Sequence, residues 1–102
     1  MGTNTLARIT KGPKMTTTWK EQIQIEMGIY GESLSDIISS TLSQEQMNAE
    51  FDNSMNAVLE GIPFTIWTES RVYFPVTYDT GEWCGSVSRN PDGKPTAHIG
   101  GG

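Results

Sequence analysis

Apolar residues change their period once along this chain, near Gly61. Before it, Trp19, Ile23 and Met27 recur every fourth residue, and so do Met47, Phe51 and Met55; this spacing lines one face of a helix. After it, Phe64-Thr65-Ile66-Trp67-Thr68 and Arg71 to Tyr78 follow a period of two, the signature of half-buried strands. The pattern predicts an α+β domain: two or three short N-terminal helices packed on a three-stranded antiparallel β-meander.

Local signals set the expected boundaries. Thr18-Trp19-Lys20-Glu21 has the form of a capping box, so a first helix is expected from Trp19 to Met27, stopped by Gly28 and Gly31. Ser33 to Ile38 admits two readings, a short helical turn capped by Ser35, which is favoured, or a strand through the β-branched pair Ile37-Ile38. Ser43-Gln44-Glu45-Gln46 is a second capping box, opening a helix expected from Gln44 to about Asn53. The three strands are expected at Phe64–Thr68, Arg71–Tyr78 and Trp83–Ser88, joined by Glu69-Ser70 and by residues 79–82. Pro75 lacks an N–H and calls for an edge-facing position or a bulge. Phe64, Ile66, Val72, Phe74, Val76 and Val87 are assigned to the core-facing side, with Trp67, Tyr73 and Thr77 opposite. Residues 1–14 read as a basic arm or extension, 15–95 as one domain, and 96–102 as a flexible glycine-rich tail.

Composition narrows the class. An apolar fraction of 35% in 102 residues implies a thin core, or a homodimer that completes one. No apolar run is long enough for a membrane span, and no signal-peptide pattern opens the chain. The single cysteine, Cys84, excludes an intramolecular disulfide and a multi-cysteine zinc site, so a cytoplasmic location is expected.

Charge adds a second division. Arg8, Lys11, Lys14 and Lys20 supply four of the seven basic residues, and from Glu21 to Ser70 there is neither Lys nor Arg. Without residues 1–14 the chain holds four basic and twelve acidic residues, formally −8. Such a single-sign stretch reads either as a solvated acidic surface that keeps the protein soluble or as one that steers it onto a basic partner protein, and the scarcity of basic residues disfavours direct nucleic-acid binding.

Candidate chemistry is sparse. His98 is the only histidine, and Cys84 has no other imidazole to activate it, so neither a catalytic pair nor a metal site is expected. No cofactor is expected, and the chain is read as a binder rather than an enzyme. Glu45, Glu50 and Asp52, together with an exposed pair of Trp67 and Tyr73, are the expected partner-binding residues. The alternative is a small-ligand site sequestering a nucleotide, with Arg71 and Arg89 on phosphates and Tyr73 or Trp83 stacked on the base.

The second half carries a resemblance. The W-T-x-x-R-V-Y-F-P core from Trp67 to Pro75, the Y-D-x-x-E-W run from Tyr78 to Trp83, the S-V-x-R-N-P exit from Ser86 to Pro91, the preceding Ala49–Ser54 and the glycine tail resemble small accessory proteins of tailed bacteriophages and prophages. The resemblance implies an inhibitor of a host defence or nucleic-acid-processing protein, acting in the bacterial cytoplasm. It assigns no functional residue.

Overall fold

A computed structural model describes residues 16–54, 59–78 and 81–100. In chain order the elements are β1 (Thr16–Thr18), α1 (Trp19–Ile29), a 3-10 turn (Leu34–Asp36), β2 (Ser39–Ser40), α2 (Gln44–Asn48), β3 (Glu50–Asp52), β4 (Ile66–Trp67), β5 (Arg71–Tyr78) and β6 (Gly81–Ser88). The architecture is α+β with antiparallel sheets. The three-stranded meander expected from the sequence is not the arrangement found. One sheet has four strands in the order β2-β4-β5-β6, and a second pairs β1 with β3. The basic arm expected at residues 1–14 lies outside the described residues.

The sequence carries α1 two residues further than expected. Thr18 caps it, its hydroxyl accepting from Glu21 N–H at 3.0 Å. The Glu21 carboxylate accepts from the Thr17 hydroxyl at 2.7 Å. Gly28 is accommodated inside the last turn. The stop is Gly31, at φ 73°, with Glu32 N–H donating to Met27 C=O and Gly31 N–H to Gly28 C=O. That pair of bonds is a Schellman motif, and its left-handed residue favours glycine. Trp19, Ile23 and Met27 are buried, while Ile25 and Ile29 face outward.

Two other elements differ from expectation. Ser33, rather than Ser35, caps the 3-10 turn, where the Asp36 carboxylate accepts from Ser33 N–H at 2.8 Å. The Ser43/Gln46 capping box forms in full, with bonds of 3.1 and 2.9 Å. Yet α2 ends at Asn48, not Asn53, because Ala49 is extended and the chain continues as β3. Phe51 therefore reaches the core from a strand paired with Thr17. Met55, the third residue of that apolar repeat, lies outside the described residues.

The two faces of the sheet carry different residues from those expected. Thr68 N–H donates to Arg71 C=O across a two-residue turn, so Ile66 pairs with Tyr73 and Trp67 with Val72. Residues paired across antiparallel strands share a face, so even positions on β4 join odd positions on β5. Phe64, Ile66, Tyr73, Cys84 and Ser86 therefore face α1, and all are buried. Val72, Phe74, Val76 and Val87, assigned to the core, lie with Trp67 on the outer face; of these only Val76 is buried. Trp67 and Tyr73 are on opposite faces.

The core centres on Trp19, whose ring meets Phe51 at 4.9 Å and Phe64 at 4.8 Å in tilted and edge-on contacts. Its indole N–H donates to Ile62 C=O at 3.0 Å. A Cβ at Gly61 would lie 2.6 Å from both the Trp19 ring and a Glu82 oxygen, so the loop passes here only as glycine. Pro75 is paired with Cys84, and its nitrogen faces the side where β4 has already ended. Ile99 and Gly100 approach Gly85 and Val76 on the outer face.

Candidate functional site

Three local decisions build a polar cluster at one end of the four-stranded sheet. The helical spacing of α1 places Glu26 and Tyr30 over β5 and β6. The Schellman turn returns the chain so that Glu32 meets the sheet. The tight Thr68–Arg71 turn brings Thr68, Arg71 and Tyr73 beneath them.

Hydrogen bonds join these residues in two chains. Arg71 Nε donates to Ser86 Oγ at 2.9 Å, and Ser86 Oγ donates to Glu26 Oε2 at 2.7 Å. The Arg71 guanidinium also lies 3.5 Å from the centre of the Tyr30 ring, a cation–π contact. In the second chain the Glu32 carboxylate accepts from Tyr73 OH at 2.5 Å and from Thr68 Oγ1 at 3.0 Å. Thr68 Oγ1 in turn accepts from Arg71 N–H at 2.9 Å and Ser70 N–H at 3.3 Å. Arg89, though exposed, donates from Nη1 to Thr68 C=O at 2.9 Å.

Protonation in this cluster favours inert groups. Burial, the Glu32 hydrogen bond and the nearby Glu32 charge hold the Tyr73 phenol well above the usual tyrosine range. Burial, with the Glu26 charge as a lesser cause, pushes the Cys84 thiol up to about 12. A protonated buried thiol is a poor nucleophile. Ser86 Oγ does contact a carboxylate, but Ser86 is only 3% exposed, so its hydroxyl orders Arg71 rather than meeting a substrate. Among the described residues no three His, Cys, Asp or Glu side chains group to hold a metal ion. None of the described helices is long and apolar enough to cross a membrane.

The expected site residues are divided by the fold. Tyr73 is fully buried, so the expected Trp67–Tyr73 surface pair does not exist. Of the four expected ligand contacts, Arg71 and Trp83 line an open groove of about 540 Å³, together with Glu26, Ser86, Lys94 and His98. Tyr73 and Arg89 do not line it. Glu45 and Glu50 are exposed, and Asp52 is half-buried with its N–H donating to Glu60 Oε1 at 3.1 Å. The β1–β3 pairing sets Glu50 opposite Thr18, beside the helical turn that carries Glu21. Glu21 and Glu50, 29 residues apart in sequence, are thus brought to the same side of the β1–β3 pair.

Sequence reasoning missed Glu26, Tyr30, Glu32 and Ser86. Their signal was available in part, since Glu26 and Tyr30 are four apart on a helix and Glu32 follows a glycine stop. Their meeting with Arg71 depended on which sheet face the helix covers. The chain matches no family model, and comparison with curated proteins and solved structures finds no similar one.

Proposed function

We propose that this chain is a non-catalytic binding domain of the phage accessory type, inhibiting a host defence or nucleic-acid-processing protein by docking its acidic end on a basic surface. The observation that carries the reading is that exposed Glu21, Glu50 and Glu60 lie around the β1–β3 pair, with Asp52 among them, and that exposed Glu45 stands on α2, which leads into β3. A single-sign surface of this kind accelerates encounter with an oppositely charged partner more than it deepens the bound state. The buried, protonated Cys84 and the inaccessible Ser86 favour binding over catalysis. The nucleotide-sequestering alternative retains Arg71 and Trp83 alone of its four contacts.

The test is affinity capture from a bacterial lysate at low and high salt, followed by association kinetics with the purified partner. Glu45→Lys with Glu50→Lys should slow association about tenfold or more at low salt and flatten its salt dependence. Unchanged association rates in that variant reject the acidic-surface reading.

A further inference from the structure

The Arg71 guanidinium is held in place but not saturated. Its Nε donates to Ser86 Oγ at 2.9 Å, and its central carbon lies 3.5 Å from the centre of the Tyr30 ring. Among the described residues its two terminal nitrogens donate to nothing, and no carboxylate forms an ion pair with it. Glu26 is in the matching position on the other side of the same hydroxyl. Its Oε2 accepts from Ser86 Oγ at 2.7 Å, while its Oε1 accepts from none of the described residues. Arg71 and Glu26 are both half-buried, and both line the open groove of about 540 Å³. Buried Ser86 is the spacer. One hydroxyl thus keeps a cation and an anion a short distance apart without the two forming a direct ion pair.

We propose that Arg71 and Glu26 recognise the zwitterionic head of a free α-amino acid whose side chain is apolar. The site is separate from the acidic surface and does not rest on the protein-binding reading. A planar guanidinium fixed through Nε and a stacked ring presents its remaining edge for bidentate contact with a carboxylate. The open oxygen of Glu26 accepts from an ammonium group. In an α-amino acid the two charges are separated by a single carbon, which suits partners separated by a single hydroxyl. Charge rejects the main competitor. A phosphate or nucleotide would bring further negative charge to a groove that holds Glu26 and Asp92, beside a depression that holds Glu32 and Asp36. A head of no net charge satisfies both signs. The groove's other walls include Trp83, Pro95, Ala97 and Ile99, which fit an apolar side chain.

The test is titration of the full chain with L-phenylalanine, followed by calorimetry and by amide shifts in NMR spectra. A ligand of this size should bind with a dissociation constant of about 1 mM or tighter. The shifts should centre on Gly85, Ser86 and the Trp83 indole. N-acetyl-L-phenylalanine lacks the ammonium group and L-phenylalaninamide lacks the carboxylate, and each should bind about tenfold more weakly or worse. Glycine, with the head but no side chain, should also bind about tenfold more weakly. Glu26→Gln should bring L-phenylalanine down to the affinity of phenylpropionate, which has no ammonium group, and leave phenylpropionate itself unchanged. Loss of folding would weaken both compounds together. Equal affinity for the acetylated or amidated compound, tighter binding of AMP than of L-phenylalanine, shifts away from the groove, or no binding at about 10 mM overturns the site.

Discussion

Individual side chains at the α1–sheet contact make opposite demands on solvent. Tyr73 carries a hydroxyl into the core and satisfies it on Glu32. Tyr73→Phe removes one donor from that carboxylate and should cost about 1–3 kcal/mol in urea denaturation, with Arg71 and Thr68 resonances shifting in NMR spectra. Cys84 makes a pH-dependent contribution. Its unfolded thiol ionises near 9.0 and its folded thiol near 12, so the unfolded state releases the proton first. The contribution is complete below pH 9 and is lost as pH rises from 9 towards 12, at up to about 1.4 kcal/mol per pH unit. Cys84→Ala should therefore reduce the alkaline slope of stability, read from urea midpoints at pH 8 and 10.5; an unchanged slope would contradict the buried thiol. Tyr73 adds a loss of the same sign above pH 10, which remains in the variant. Gly61→Ala brings a methyl group to 2.6 Å from the Trp19 ring and should destabilise by about 1–3 kcal/mol.

Elements here are short, and their ends decide more than their interiors. α2 has five residues and a complete Ser43/Gln46 box. Ser43→Ala should lower stability by about 1 kcal/mol and broaden the amide signals of Gln44 to Asn48. The apolar spacing of Met47 and Phe51 fits a continuing helix, but it fits equally a helix followed by a strand that delivers Phe51 to the same core. Pairing with β1 settles the choice, because β3 gains backbone bonds across the sheet and Trp19 gains a ring contact. The β4–β5 hairpin shows the opposite situation. A two-residue Glu69-Ser70 turn was legible in the sequence, and it already requires residues 68 and 71 to pair. That parity contradicts placing Phe64 and Ile66 on one face with Val72 and Phe74. Turn length, not the likeness of the hydrophobic residues, fixes which faces the two strands share.

At the scale of the whole molecule most acids lie outside the core, with Glu82 the buried one among the described residues. A formal net charge of −5, with twelve acidic against seven basic residues, makes self-repulsion a standing cost of folding. Added sodium chloride, from about 20 to 300 mM, should therefore raise the melting temperature as the Debye length shrinks; a fall would mean that attractive pairs dominate. The sequence by itself determined the α+β class, the first helix and its cap, the second capping box, the long β5 strand and the Lys/Arg-free stretch. Each of these depends on neighbours within a few residues, where period, capping and turn chemistry act. Only the tertiary structure decided that β2 joins the sheet, that β1 and β3 pair, that Tyr73 is inside, and that Glu26, Glu32, Arg71 and Ser86 meet. Those outcomes depend on which face α1 covers and which strands find partners. Such choices are made by long-range burial and backbone pairing, and the local pattern of residues does not encode them.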